Sequence, residues 1–199
     1  MNIIGSPTRK SNIHGTVKKV KYIIVHSSGR SKFATDANEL KYLTTTENIY
    51  CYHAYVTTTG EIHQLAPWDG LMHHVGESRW ESDGNLNTLS IGVSFSSTNT
   101  PDSLYTHSQV EAMKDLVRFL MKEYNVPTKY VLGHKEVSPK RKTDPMAFDM
   151  DKFRNELSEA LKPEPKLAWQ FGTLEIPKEG EDILIRISVK DGKIHLRGD

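Results

Sequence analysis

Tyr22-Ile-Ile-Val25 is a short run of apolar, mostly β-branched side chains, cut off at once by the polar segment His26-Ser-Ser-Gly-Arg30. Successive side chains of a strand point to opposite faces of a sheet, so a run apolar at every position needs cover on both faces. That requirement places the strand, which the pattern predicts over 17–25, in the middle of a sheet with a layer on each side. Thr88-Leu-Ser-Ile-Gly-Val-Ser-Phe95 is a second buried strand, and Lys129-Tyr-Val-Leu132 a short third one. Helical spacing falls between them. Ala37, Leu40 and Leu43 predict a short helix over 36–46, and Val110, Met113, Leu116, Val117, Leu120, Met121 and Tyr124 trace the apolar stripe of a longer one. Thr106 and Gln109 are spaced as a capping box for it, and Asn125 with Pro127 ends it. Asp149 can cap a last helix carrying Met150, Phe153, Leu157 and Leu161.

Tyr50 to Val56, the turn Thr57-Thr-Thr-Gly60 and Glu61 to Leu65 read as a hairpin, which makes the sheet mixed rather than all parallel. The fold class is therefore α/β: a single mixed sheet flanked by helices. Residues 1–16 are polar and read as an N-terminal arm or irregular lead-in, 17–162 as the main domain, and 71–87 within it as a long loop without periodicity. Beyond Pro163-Glu-Pro-Lys166 the pattern turns to strands only. Ile183 to Lys190 alternates, Asp191-Gly192 is a hairpin turn into Lys193-Ile-His-Leu196, and Trp169 to Ile176 is a candidate third strand. This small all-β extension, 163–199, falls short of the roughly 40 residues that usually suffice for independent folding.

The formal net charge of +1 carries no electrostatic footprint for nucleic acid. No run approaches the roughly 20 apolar residues that cross a bilayer, so no membrane insertion is expected. Cys51 is the single cysteine, which rules out an intrachain disulfide and suits a reducing compartment. The N-terminus has no apolar signal core, so synthesis in the cytoplasm is expected, with a monomeric product.

Chemistry concentrates at strand ends, where ligands sit in α/β sheets. His26 ends the first buried strand. His134 follows the short strand and opens a segment that carries Lys142 and Asp144 across two prolines. Two neutral imidazoles and a carboxylate suit a zinc ion with a fourth position left for water. Taken singly, each histidine fits a structural role more often than a ligand role. Lys142 is either a solvated cation of the run Lys140-Arg-Lys142 or a donor to an oxyanion. Tyr52 is either a core tyrosine or a phenol facing the reaction. On a regular strand it points opposite to His53. His73-His74 is either a surface pair or a substrate contact.

Val25-His26-Ser27, Tyr52-His-Ala-Tyr-Val56 with Gly60, His74-Val-Gly76, Ser90-Ile-Gly-Val-Ser-Phe95 and Gly133-His134 through Lys142-Thr-Asp-Pro145 occur in that order. Together they resemble the zinc-dependent N-acetylmuramoyl-L-alanine amidases, which include amidase-type phage lysozymes, bacterial muropeptide amidases and peptidoglycan recognition proteins. The resemblance spans residues 20–161 and does not reach the tail. It implies one Zn2+ per chain held by His26, His134 and Asp144, with Tyr52 and Lys142 catalytic and His74 and Ser94 against substrate. An aspartate in a Lys-Thr-Asp-Pro block is the muropeptide-amidase form of the third ligand. Those enzymes carry a glutamate base where this chain has Ser94, so Tyr52 is left to assist the attacking water. The implied partner is peptidoglycan or soluble muropeptides. The expected role is that of a phage endolysin, released from the cytoplasm to act on the cell wall. A cytosolic muropeptide-recycling amidase and a non-catalytic peptidoglycan-binding module are the alternatives. Some phage lysozymes also bind RNA polymerase. The N-terminal arm is where such a contact would lie, though nothing in the sequence demands it.

Overall fold

The computed structural model describes residues 1–47, 50–159, 185–190 and 193–198. The chain divides into two units, Met1–Leu161 and Lys162–Asp199. The first unit opens with strands β1 (Ile3–Gly5) and β2 (Tyr22–Ser27), helix α1 (Asp36–Thr45), and strands β3 (Ala54–Val56) and β4 (Ile62–Gln64). A small ribbon follows, β5 (Arg79–Trp80) with β6 (Asp83–Gly84), then strand β7 (Ser90–Phe95) and helix α2 (His107–Tyr124). Strand β8 (Val131–Gly133), the single helical turn α3 (His134–Val137) and helix α4 (Met150–Glu159) complete it. In the second unit β9 (Ile185–Lys190) and β10 (Lys193–Gly198) pair as an antiparallel hairpin, with Lys190 opposite Lys193.

Six strands form one sheet in the order β1-β4-β3-β7-β2-β8. The β3–β4 pair is antiparallel and the other pairs are parallel, which is the mixed sheet the hairpin predicts. Strand β2 lies between β7 and β8, the internal position that its unbroken apolar run requires.

The two-residue period of the strands sorts the core into two layers. Ile23 and Val25 of β2 and Ile91, Val93 and Phe95 of β7 face the helices. There they pack with Met113, Leu116, Val117 and Leu120 of α2 and with Phe153 and Leu157 of α4. Burying each such side chain contributes roughly 1.5–3 kcal/mol relative to leaving it in water. Tyr22 and Ile24 face the other way, into a cluster with Val75, Leu86, Leu132 and Val137. His26 continues the Tyr22–Ile24 alternation, so it lies on the face covered by the 71–89 segment rather than by α2. On β7 that face carries only Ser90, Gly92 and Ser94, which leaves room for imidazole rings.

The helix ends follow their capping chemistry. Thr35 Oγ1 accepts from Asn38 N at the start of α1, and Asn125, at φ 53°, ends α2 in the left-handed conformation. Thr106 Oγ1 accepts from Gln109 N as predicted, but Gln109 does not return the bond. Its amide donates instead to the carbonyls of Val56 and Ser96, tying α2 to the ends of β3 and β7. Asp149 Oδ1 accepts from Lys152 N at the head of α4.

The N-terminal segment corrects the sequence reading. Ile3–Gly5 adds a parallel edge strand to β4, and Thr8 and Asn12 are buried against the carbonyls of Leu43 and Thr46. Parts of residues 1–16 are therefore packed on the domain, where the sequence reading gives only an arm or irregular lead-in. The regular part of the first buried strand begins at Tyr22, not Val17, although Val17 and Val20 are buried. Leu161 and the candidate strand Trp169 to Ile176 lie outside the described residues. Among the described residues no helix is long and apolar enough to cross a membrane.

Candidate metal centre

The sheet register brings the two histidines together. Strands β2 and β8 are parallel neighbours with Val25 opposite Gly133, so the next residues, His26 and His134, emerge side by side. Their rings meet edge to face with centroids 4.5 Å apart. Asp144 returns to them on the loop between α3 and α4. That loop is held by a bond from Lys135 N to the Asp144 carbonyl, 2.7 Å, and by Asn99, whose amide contacts Thr143 Oγ1 and Met146 N. Tyr105 adds a bond to the Met146 carbonyl. Behind His134, Arg154 of α4 pairs with both carboxylate oxygens of Glu136, each at 3.0 Å, and so fixes α3.

Asp144 Oδ2 lies 3.1 Å from His26 Nδ1 and 3.0 Å from His134 Nδ1. One donor atom from each of the three buried residues falls within 4.8 Å of the others. Donors bonded tetrahedrally at about 2.0–2.1 Å stand roughly 3.3 Å apart, so the spacing suits a small tetrahedral cation. The protonation pattern points the same way. His134 Nε2 lies 3.0 Å from the Val75 carbonyl, which only accepts, so the neutral ring carries its proton there. Its Nδ1 then turns a lone pair toward the Asp144 carboxylate, an arrangement that calls for a cation between them.

Electrostatics favour the neutral, ligand-competent form of His26. Burial, followed by the charge of His134 and in smaller part that of Lys142, lowers its pKa to about 4 against the opposing pull of Asp144. Burial works against ionisation of Asp144, but the His134 and His26 rings beside it outweigh that and hold the carboxyl well below the usual carboxylate range. Burial, reinforced by the charge of Asp144, raises the Tyr52 phenol above its ordinary value, so at neutral pH it keeps its proton.

Around this centre the sequence-predicted residues separate. Tyr52 lies beside His26, ring centroids 5.0 Å apart, with Ser94 next to its phenol. Ser94 is itself buried and donates to the Phe95 carbonyl. Lys142 is half-buried and close enough for its charge to act on His26. His53 precedes β3, is fully buried and meets His74 edge to face, ring centroids 5.5 Å apart. Its Nδ1 accepts from Gly92 N and its Nε2 donates to the Gly70 carbonyl, which is a structural role. His74 departs furthest from expectation. It is buried behind His26, and its two ring nitrogens face His26 and Ser90, so neither is left for a substrate.

Several contributors have no signal of their own in the sequence. Asn87 Oδ1 accepts from both His74 N and Val75 N, at 3.0 Å each. Arg141, read only as part of a basic run, donates to the carbonyls of Val75 and Glu77. Both hold the 74–77 segment against the centre.

Residues 16–147 match the family described as N-acetylmuramoyl-L-alanine amidase. Among curated proteins, the chain is 35% identical over 103 residues to the 1,6-anhydro-N-acetylmuramyl-L-alanine amidase AmpD of Escherichia coli K12, covering 51% of this chain and 55% of that protein. The chain thus spans about half the length of the curated relatives it matches. Among solved structures, a mutant endolysin from Bacillus subtilis superposes with a TM-score of 0.64 at 26% identity, covering 79% of this chain and 99% of that one. A selenomethionine AmpD derivative superposes with a TM-score of 0.66 at 23% identity over 77% of this chain and 93% of that one, and shares the fold. With the motif order, the sheet and the match over most of the first unit in agreement, the chain belongs to the N-acetylmuramoyl-L-alanine amidase family.

Proposed function

We propose that the chain hydrolyses the amide between the lactyl group of N-acetylmuramic acid and L-alanine in peptidoglycan, using one Zn2+ held by His26, His134 and Asp144. The observation that carries this reading is the convergence of the three buried donors on one point, with His26 Nδ1 3.1 Å and His134 Nδ1 3.0 Å from Asp144 Oδ2. When bound, zinc polarises a carbonyl and lowers the pKa of water toward about 7. The protein supplies the rest. Asp144 and the two imidazoles form the base of the site. Tyr52, a protonated phenol, orients the attacking water and passes a proton toward the departing amine. Lys142 places an ammonium where negative charge gathers on the amide oxygen. Water adds to the carbonyl, the C–N bond breaks, and the products are a muramic-acid carboxylate and a peptide with a free alanine amine.

The fold shared with the Bacillus subtilis endolysin over nearly all of that chain supports an endolysin acting on intact wall. A second reading, turnover of soluble 1,6-anhydro muropeptides in the cytoplasm, is favoured by the 35% identity to AmpD. Mass spectrometry of products from purified sacculi and from soluble muropeptides, with and without chelator, separates them. Release of peptides with free N-terminal alanine from sacculi, abolished by chelation and restored by zinc, is the expected result. Cleavage of soluble fragments alone selects the recycling role. No cleavage of either substrate by zinc-loaded protein contradicts the amidase assignment.

A further inference from the structure

Behind the metal-facing edge of His26 lies a chain of buried polar groups. His26 Nε2 is 2.9 Å from His74 Nδ1, His74 Nε2 is 3.2 Å from Ser90 Oγ, and Ser90 Oγ is 2.5 Å from the Leu86 carbonyl oxygen. The last acceptor fixes the direction of all three bonds. A carbonyl has no proton to give, so Ser90 donates to Leu86 and accepts from His74 Nε2–H. A neutral His74 then has a bare Nδ1, which accepts from His26 Nε2–H. A neutral His26 is left with its lone pair on Nδ1, the atom that faces Asp144. The neighbouring residue does the same for the other histidine, since the Val75 carbonyl accepts from His134 Nε2.

We infer that the segment His74–Val75, with Ser90 behind it, sets the tautomer of both metal-facing histidines, so that His74 is a positioning residue rather than a substrate contact. Metal-bound histidines commonly donate their second ring nitrogen to such a partner, which fixes the ring and raises its basicity. Here one short stretch of chain serves two rings, and it is held tightly. Asn87 takes both of its backbone N–H groups, and Arg141 bonds the Val75 carbonyl from the other side. Gly92 provides the space, because a Cβ at that position would stand 2.4 Å from His74 Nδ1.

The inference rests on the zinc reading above, and two isosteric variants test it separately. In His74→Asn the amide oxygen replaces Nδ1 as acceptor. His74→Leu has nearly the same shape and no acceptor. Zinc affinity, measured by competition with a chromophoric chelator, is expected to fall about 10- to 100-fold in His74→Leu and to stay close to the parent in His74→Asn. Thermal melting of the metal-free proteins checks that both fold. In nitrogen-15 spectra of the zinc-loaded parent, His74 should show a protonated Nε2 and a bare Nδ1. A parent that binds zinc, with equal affinity in His74→Leu, overturns the positioning role alone, as does a His74 ring protonated on Nδ1. A parent that binds no zinc overturns this inference and the metal reading together.

Discussion

Tyr52 and His53 are adjacent residues with opposite assignments. Tyr52 sits beside His26 with its proton held, so its hydroxyl is available to the reaction. Tyr52→Phe should lower kcat by about a hundredfold or more, the usual range for a lost acid–base group, with zinc affinity unchanged. A kcat close to the parent would remove Tyr52 from the mechanism. His53 is a buried structural ring whose pKa is lowered to about 4, chiefly by burial. The unfolded chain, with an ordinary histidine near 6.5, binds that proton more readily, so stability is fully present above about pH 6.5 and is lost as pH falls toward 4. The lost contribution is about 3 kcal/mol. Urea unfolding of metal-free protein between pH 7 and 4 should show this slope added to those of the buried His26 and His74, and His53→Gln should make it shallower. An unchanged slope would locate the linkage elsewhere. His26, His134 and Asp144 were legible because each sits where a predicted strand or a proline-bounded loop delivers it to one end of the sheet. The role of His74 was not, because sequence order does not say whether an imidazole lies above His26 or behind it.

At the scale of elements, β7 shows how a strand can be legible as buried while its purpose stays hidden. Its hydrophobicity predicts an internal strand, and it pairs with β2 and β3. The functional information lies in the small residues of one face, Ser90, Gly92 and Ser94, which matter only once imidazole rings are known to fill the space above them. Gly92→Ala tests this. Its new methyl would meet His74 Nδ1 at 2.4 Å, deep in the core, where overpacking costs about 1–3 kcal/mol. Lower thermal stability together with weaker zinc binding is the expected pair of effects in a melting curve and a metal titration. Full retention of both would show that His74 can move without consequence. Strand β1 escaped the sequence reading for a different reason. Three residues carry no period, and an edge pairing to β4 depends on a partner about 60 positions away.

For the whole molecule, the alternation of apolar runs and amphipathic stretches was enough to give a mixed sheet between helices. The strand order was not, because it depends on which pairs satisfy the twist and the burial of both faces together. The family match ends at residue 147, so the second unit lies beyond it, and its sequence predicts only strands. The β9–β10 hairpin agrees with that pattern in its register. The central claim concerns the first unit: its sheet brings three distant residues to one point to hold a metal. Titration of zinc into metal-free protein, followed by calorimetry, tests it most directly. One zinc per chain should bind the parent, and Asp144→Asn, which keeps the shape and removes the charge, should lose that binding while remaining folded. Equal zinc binding by parent and Asp144→Asn, or none by the parent, would contradict the account.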